Sequence, residues 1–136
     1  KPGKLYGKHI LSIKPLQNKN IKILIHEIRN IKMPIILETF SIKYFDVITC
    51  DIAPNLSGIR EVDVKNIEEL YDASKLIVAE GLRPGGHYIL KAFFSEAFQT
   101  KQKDLKNLFT HVSVFKPVSS RNISSETYFV CKGKIG

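Results

Sequence analysis

Phe45-Asp-Val-Ile-Thr-Cys-Asp-Ile-Ala-Pro-Asn-Leu-Ser-Gly58 is the stretch on which the reading of this chain turns. Residues 45–50 are apolar and rich in β-branched side chains, the composition of a buried strand. Asp51 stands where that strand ends, because Pro54, Asn55, Ser57 and Gly58 form a tight turn whose backbone amides can face a ligand. In open parallel sheets the loops leaving the carboxyl ends of strands form the crevice where ligands bind. A lone Asp in this place more often caps the next turn, so further evidence is needed to read it as part of a site.

Two later stretches supply it. Gly85-Gly-His-Tyr-Ile-Leu-Lys91 is a turn followed by an apolar strand that ends on a charge, a placement that calls for a partner. Ser119-Ser-Arg121 and Ser124-Ser-Glu-Thr-Tyr-Phe-Val130 put Glu126 at the start of the final strand. With Asp51-Ile-Ala-Pro-Asn-Leu-Ser-Gly58, Leu82-Arg-Pro-Gly-Gly-His-Tyr-Ile-Leu-Lys91, Lys116-Pro-Val-Ser-Ser-Arg121 and Glu126-Thr-Tyr128, in that order and spacing, the chain resembles the FtsJ-type family of S-adenosylmethionine-dependent RNA ribose 2'-O-methyltransferases, most closely its bacterial-type ribosomal RNA large-subunit members. The resemblance runs from about Phe45 to the end.

The resemblance implies an α/β fold: a Rossmann-like methyltransferase sheet, mostly parallel, with an antiparallel last strand. It implies S-adenosyl-L-methionine as cofactor and a ribose in RNA as substrate, with uridine in large-subunit ribosomal RNA as the expected target. Of the family's Lys-Asp-Lys-Glu catalytic set, three members match, as Asp51, Lys91 and Glu126. Cofactor contacts are expected at Ser12, Glu27, Asp51 and Pro54, and RNA contacts at Lys116, Ser119, Ser120 and Arg121. For Glu27 a solvated carboxylate beside Arg29 is an equal alternative, and the polar connection that carries Arg121 reads either as a phosphate-binding loop or as a solvated hairpin connection.

The chain departs from the family in three places. The acid expected at the end of the second strand is Ser12, which can donate to a ribose but cannot be a charged acceptor. Phe94-Ser95 stands where many members have Gly after the aromatic residue, which narrows the expected substrate groove. Ahead of Lys8 there is no glycine-rich strand-to-helix turn, the element on which the family holds the methionine end of its cofactor, and no match for the first catalytic Lys. Residues 1–136 are therefore expected to be a single methyltransferase-like domain, the C-terminal two-thirds of a full one, that binds S-adenosylmethionine poorly by itself.

Composition agrees with one small globular domain. Hydrophobic residues make up 43% and charged residues 25% of the 136, and no run approaches the ~18 apolar residues of a membrane span. The start is basic but is not followed by the apolar core of a secretory signal. Cys50 and Cys131 each lie in an apolar run and read as buried structural thiols, and the four His are scattered, so no metal site is expected. A formal net charge of +8 favours a polyanionic partner, RNA or a ribosomal subunit, although a lysine-rich composition alone also accounts for it. The expectation is a cytoplasmic protein, with mitochondrion or nucleolus as the eukaryotic alternatives, monomeric when complete.

The remaining elements follow from periodicity. Residues 8–13 and 21–25 read as strands, 33–42 as a short helix or crossover begun by Pro34, and 87–93 as the strand beside 45–50. Residues 62–80 read as an amphipathic helix, with Val64, Ile67, Leu70, Ala73, Ser74, Ile77 and Val78 on its core stripe. Residues 96–109 form a second helix with Lys101, Lys103 and Lys106 at its surface, and 111–116 and 126–132 are the last strands. Two functions fit: an RNA 2'-O-methyltransferase in which Lys91 takes the hydroxyl proton while Asp51 and Glu126 orient it, or a catalytically silent relative that retains only RNA binding.

Overall fold

The computed structural model describes residues 24, 26–52, 56–92, 98–117 and 127–136. They belong to two units that divide between Ile31 and Lys32. In the first, Ile28–Asn30 form one 3-10 turn whose N-cap is Glu27. The strands expected at 8–13 and 21–25 lie outside the described residues, apart from Leu24, which is in neither a helix nor a strand.

The second unit carries the sheet. Helix α1 (Met33–Thr39) has Pro34 in its first turn, where a missing amide hydrogen costs nothing. Strand β1 (Phe45–Cys50) follows, then helix α2 (Arg60–Gly81), strand β2 (Leu82–Ala92), helix α3 (Phe98–Leu108), strand β3 (Phe109–Phe115) and strand β4 (Thr127–Lys134). The four-stranded sheet has the order β1-β2-β4-β3. β1 and β2 are parallel, and β4 inserts antiparallel between β2 and β3, as expected of the last strand. Among the described strands β1 is at the edge, paired with β2 alone.

β2 begins five residues earlier than the expected strand at 87–93. Leu82 already pairs with Phe45, and pairing resumes at Val47 with His87, so Pro84, Gly85 and Gly86 bulge out between two paired stretches. Gly85 has φ +81°, and a Cβ on Gly86 would meet the Asp46 carbonyl at 2.9 Å, so both glycines are required by the backbone. α2 also starts earlier than expected, at Arg60. No side chain of Ile59 caps it, which left its boundary unmarked in the sequence.

One face of the sheet holds the core. Tyr88, Leu90 and Ala92 of β2 lie beside Phe129 and Cys131 of β4, and Ile67, Tyr71 and Val78 of α2 with Leu105 of α3 cover them. Phe98 packs on Phe129 with ring centroids 4.9 Å apart, so this aromatic joins the core. Lys101 departs from its expected surface position. Its side chain is 9% exposed, with Nζ 3.7 Å from Asp72, 3.8 Å from Asp104 and 5.2 Å from the Tyr71 ring centroid. An amine can be buried there because two carboxylates and a π-face surround it.

Candidate active site

Strand alternation sends Tyr88, Leu90 and Ala92 toward the helices and Ile89 and Lys91 toward the opposite face. β1 runs parallel in register, Cys50 beside Leu90, so the next residue, Asp51, leaves the same sheet end as Lys91. Lys91 Nζ lies 3.0 Å from Asp51 Oδ1. The Lys91 side chain is 19% exposed and that of Asp51 63%, so the lysine is held along the sheet while the Asp faces solvent. Directly across from Lys91 on β4 is Tyr128. Glu126 lies outside the described residues; Thr127, which follows it, pairs with Ala92.

The turn after Asp51 is fastened by a residue that the sequence reading did not single out. Asp63, in the first turn of α2, accepts at Oδ1 from Ser57 N (2.7 Å) and Ser57 Oγ (2.8 Å), and at Oδ2 from Gly58 N (3.1 Å). Ser57 Oγ in turn accepts from Ile59 N at 3.1 Å. The Ser57 donors, followed by the Gly58 amide, hold the Asp63 carboxyl below the usual aspartate range. The Ser57 and Gly58 amides expected to face a ligand are therefore already bonded to Asp63. The signal was present as an acid six residues beyond a Ser-Gly turn, but a helix begun at 62 instead of 60 hid it.

Of the other expected site residues, Glu27 and Lys116 are among those described. Glu27 Oε1 accepts from Arg29 N at 3.2 Å and from Arg29 Nε at 2.9 Å, and the Arg29 donors pull its carboxyl below the usual range. Lys116 is exposed and follows Phe115 at the end of β3. Ser12, Pro54, Ser119, Ser120 and Arg121 lie outside the described residues. Both cysteines are free; burial pushes the Cys50 thiol up and the Cys131 thiol up to about 12, so neither is a nucleophile at neutral pH. Among the described residues no three metal-ligating side chains cluster.

The sequence profile of FtsJ-like methyltransferases matches residues 1–134. The chain belongs to that family. Over 92 residues this FtsJ-like chain is 39% identical to ribosomal RNA large subunit methyltransferase E of Desulfatibacillum aliphaticivorans, an alignment covering 68% of the chain and 44% of that relative. The chain thus matches less than half of the relative's length. A crystal structure of a ribosomal RNA methyltransferase from Plasmodium falciparum superposes with a TM-score of 0.74 at 26% identity, covering 90% of this chain and 68% of that one. The FtsJ-like sheet described above is accordingly of the Rossmann type, with Asp51 and Lys91 at the carboxyl ends of its parallel pair.

Proposed function

We propose that this FtsJ-like chain is the part of an S-adenosylmethionine-dependent RNA 2'-O-methyltransferase that carries the hydroxyl-activating groups, acting on a ribose of large-subunit ribosomal RNA, with uridine as the target base. The observation that carries the proposal is the Asp51–Lys91 pair, set at the ligand-binding end of two parallel strands and away from the packed core.

A ribose hydroxyl is a weak nucleophile, so the site must orient it and take its proton as the oxygen attacks. Lys91 is the group placed to do so, as a neutral amine: the ammonium paired with Asp51 first gives up a proton to solvent, and the strand fixes the stem. The Asp51 carboxylate holds Nζ in place and stabilises the ammonium once the proton has arrived. Glu126 is assigned to the same cluster, where it orients Lys91 and the hydroxyl. Asp51 also suits the cofactor chemically, since an exposed carboxylate can face its cationic and hydroxyl-bearing groups. Glu27 suits it less well, because one oxygen already serves Arg29. When bound, S-adenosylmethionine supplies an electrophilic methyl group on a sulfonium.

Arg121 and Lys116 are assigned to the phosphates, with Ser119 and Ser120 beside them, and the excess of basic residues makes that contact salt-sensitive. The same reading assigns the protein to the cytoplasm. The test is methyl transfer from radiolabelled S-adenosylmethionine to ribosomal RNA by the protein that carries this chain, followed by alkaline hydrolysis. The proposal predicts label in an alkali-resistant dinucleotide that contains uridine. Label released on a base overturns the ribose assignment, and RNA binding without transfer shows the catalytically silent relative.

A further inference from the structure

The strand register extends the site across the sheet. Lys91 lies opposite Tyr128, and Tyr128 lies opposite Phe115, so the three form one row on the face away from the core. Phe115 closes that row at the outer strand, and it is 55% exposed. The surroundings are cationic. Exposed Lys116 follows it directly, and exposed Lys132 of β4 lies on the same face. An exposed aromatic ring flanked by cations and aligned with a lysine that handles a ribose has the chemistry of a stacking site for a base of a polyanionic strand.

We propose that Phe115 is the platform on which a base of single-stranded RNA stacks, next to the nucleotide whose ribose lies at Lys91. The inference rests on the reading of Lys91 as the methyl-transfer site. Two strand spacings, roughly 10 Å, separate Phe115 from Lys91, so the stacked base is a neighbour of the target nucleotide and not the target base itself. Charge decides the occupant. The three residues of the row carry no carboxylate, and Asp51, beside its inner end, is already held by Lys91, so the exposed end presents an apolar ring and positive charge to the ligand.

The chain contains no Trp, which makes the test direct. In the protein that carries it, Phe115→Trp is titrated with a single-stranded uridine-containing oligoribonucleotide, and emission is read as the difference from the unsubstituted protein. The expected result is saturable quenching at the concentration where a labelled copy of the RNA binds, with little quenching by a duplex of the same sequence. Phe115→Ala should raise the half-saturating RNA concentration roughly 5- to 100-fold, the order that loss of one stacked base produces, and Phe115→Tyr should restore it.

Absent quenching with unchanged affinity overturns the platform, and so does equal quenching by duplex. Self-association lost in Phe115→Ala, with RNA affinity unaltered, overturns it in favour of a contact between copies. If Lys91→Ala leaves methyl transfer intact while Phe115→Trp emission is still quenched by single strands, the catalytic assignment falls and the stacking site stands.

Discussion

Lys91 and Asp51 leave neighbouring parallel strands at the same end and meet at 3.0 Å, with the carboxylate the more exposed partner. This asymmetry separates their roles. The lysine is held along the sheet, where the proposed function has it meet the ribose hydroxyl, whereas the Asp pairs with it from the solvent side. Asp51→Asn should lower the single-turnover methyl-transfer rate by at least about 100-fold, and combining it with Lys91→Ala should cost little more, because groups that act as a unit are non-additive. Full additivity in a double-mutant cycle would show that the two act separately.

Asp63 gives a second prediction, one with a pH sign. Its carboxyl is lowered in the folded protein, chiefly by the Ser57 backbone and hydroxyl, so its contribution is complete above the unfolded aspartate value of about 3.9 and is lost as pH falls through the lower folded value. The Ser57 and Gly58 amide resonances should therefore titrate with a midpoint below 3.9, and a midpoint at or above it would contradict the bonding described. At neutral pH Asp63→Ala should slow methyl transfer by up to about 100-fold, the order that a displacement of about 1 Å costs, with Asp63→Asn retaining more.

Lys101 gives a third. Its stem is packed in the interface of α2 and α3, while its two carboxylate partners sit at the long distances of 3.7 and 3.8 Å. The packing should therefore outweigh the charge. Urea unfolding should find Lys101→Met within about 1 kcal/mol of the unsubstituted protein and Lys101→Ala less stable by about 1–3 kcal/mol. Equal losses in both variants would show that the ion pairs dominate.

Arg121 gives a fourth, argued from its assignment to phosphate. Arg121→Ala should weaken RNA binding and flatten the dependence of log affinity on log salt by about 1. An unchanged slope would remove Arg121 from the phosphate contacts.

The sequence showed the strand that ends at Asp51 and the strand that ends at Lys91, because apolar β-branched runs bounded by Pro and Gly mark strands strongly, whereas the parallel pairing and the antiparallel insertion of the final strand were what the family resemblance implied. It did not show Lys101 as buried, since the pattern along one helix carries no record of Asp72 and Tyr71 on another. Nor did it show that β2 starts at Leu82. Pro84-Gly85-Gly86 reads locally as a turn, and only its pairing with β1 makes it a bulge inside a strand. The Ser57–Asp63 fastening was hidden for the related reason that hydrogen bonds closing a loop depend on where the next helix begins.

The central claim is that Lys91 activates the ribose hydroxyl. Single-turnover methyl transfer at saturating RNA and S-adenosylmethionine, comparing Lys91→Ala with the unsubstituted protein that carries this chain, tests it most directly. The account predicts a rate lower by at least about 1,000-fold, within the range that loss of a proton-accepting and orienting group produces, with RNA affinity largely kept. Transfer by Lys91→Ala at the unsubstituted rate would contradict it and make the Asp51–Lys91 pair a structural tie between two strand ends.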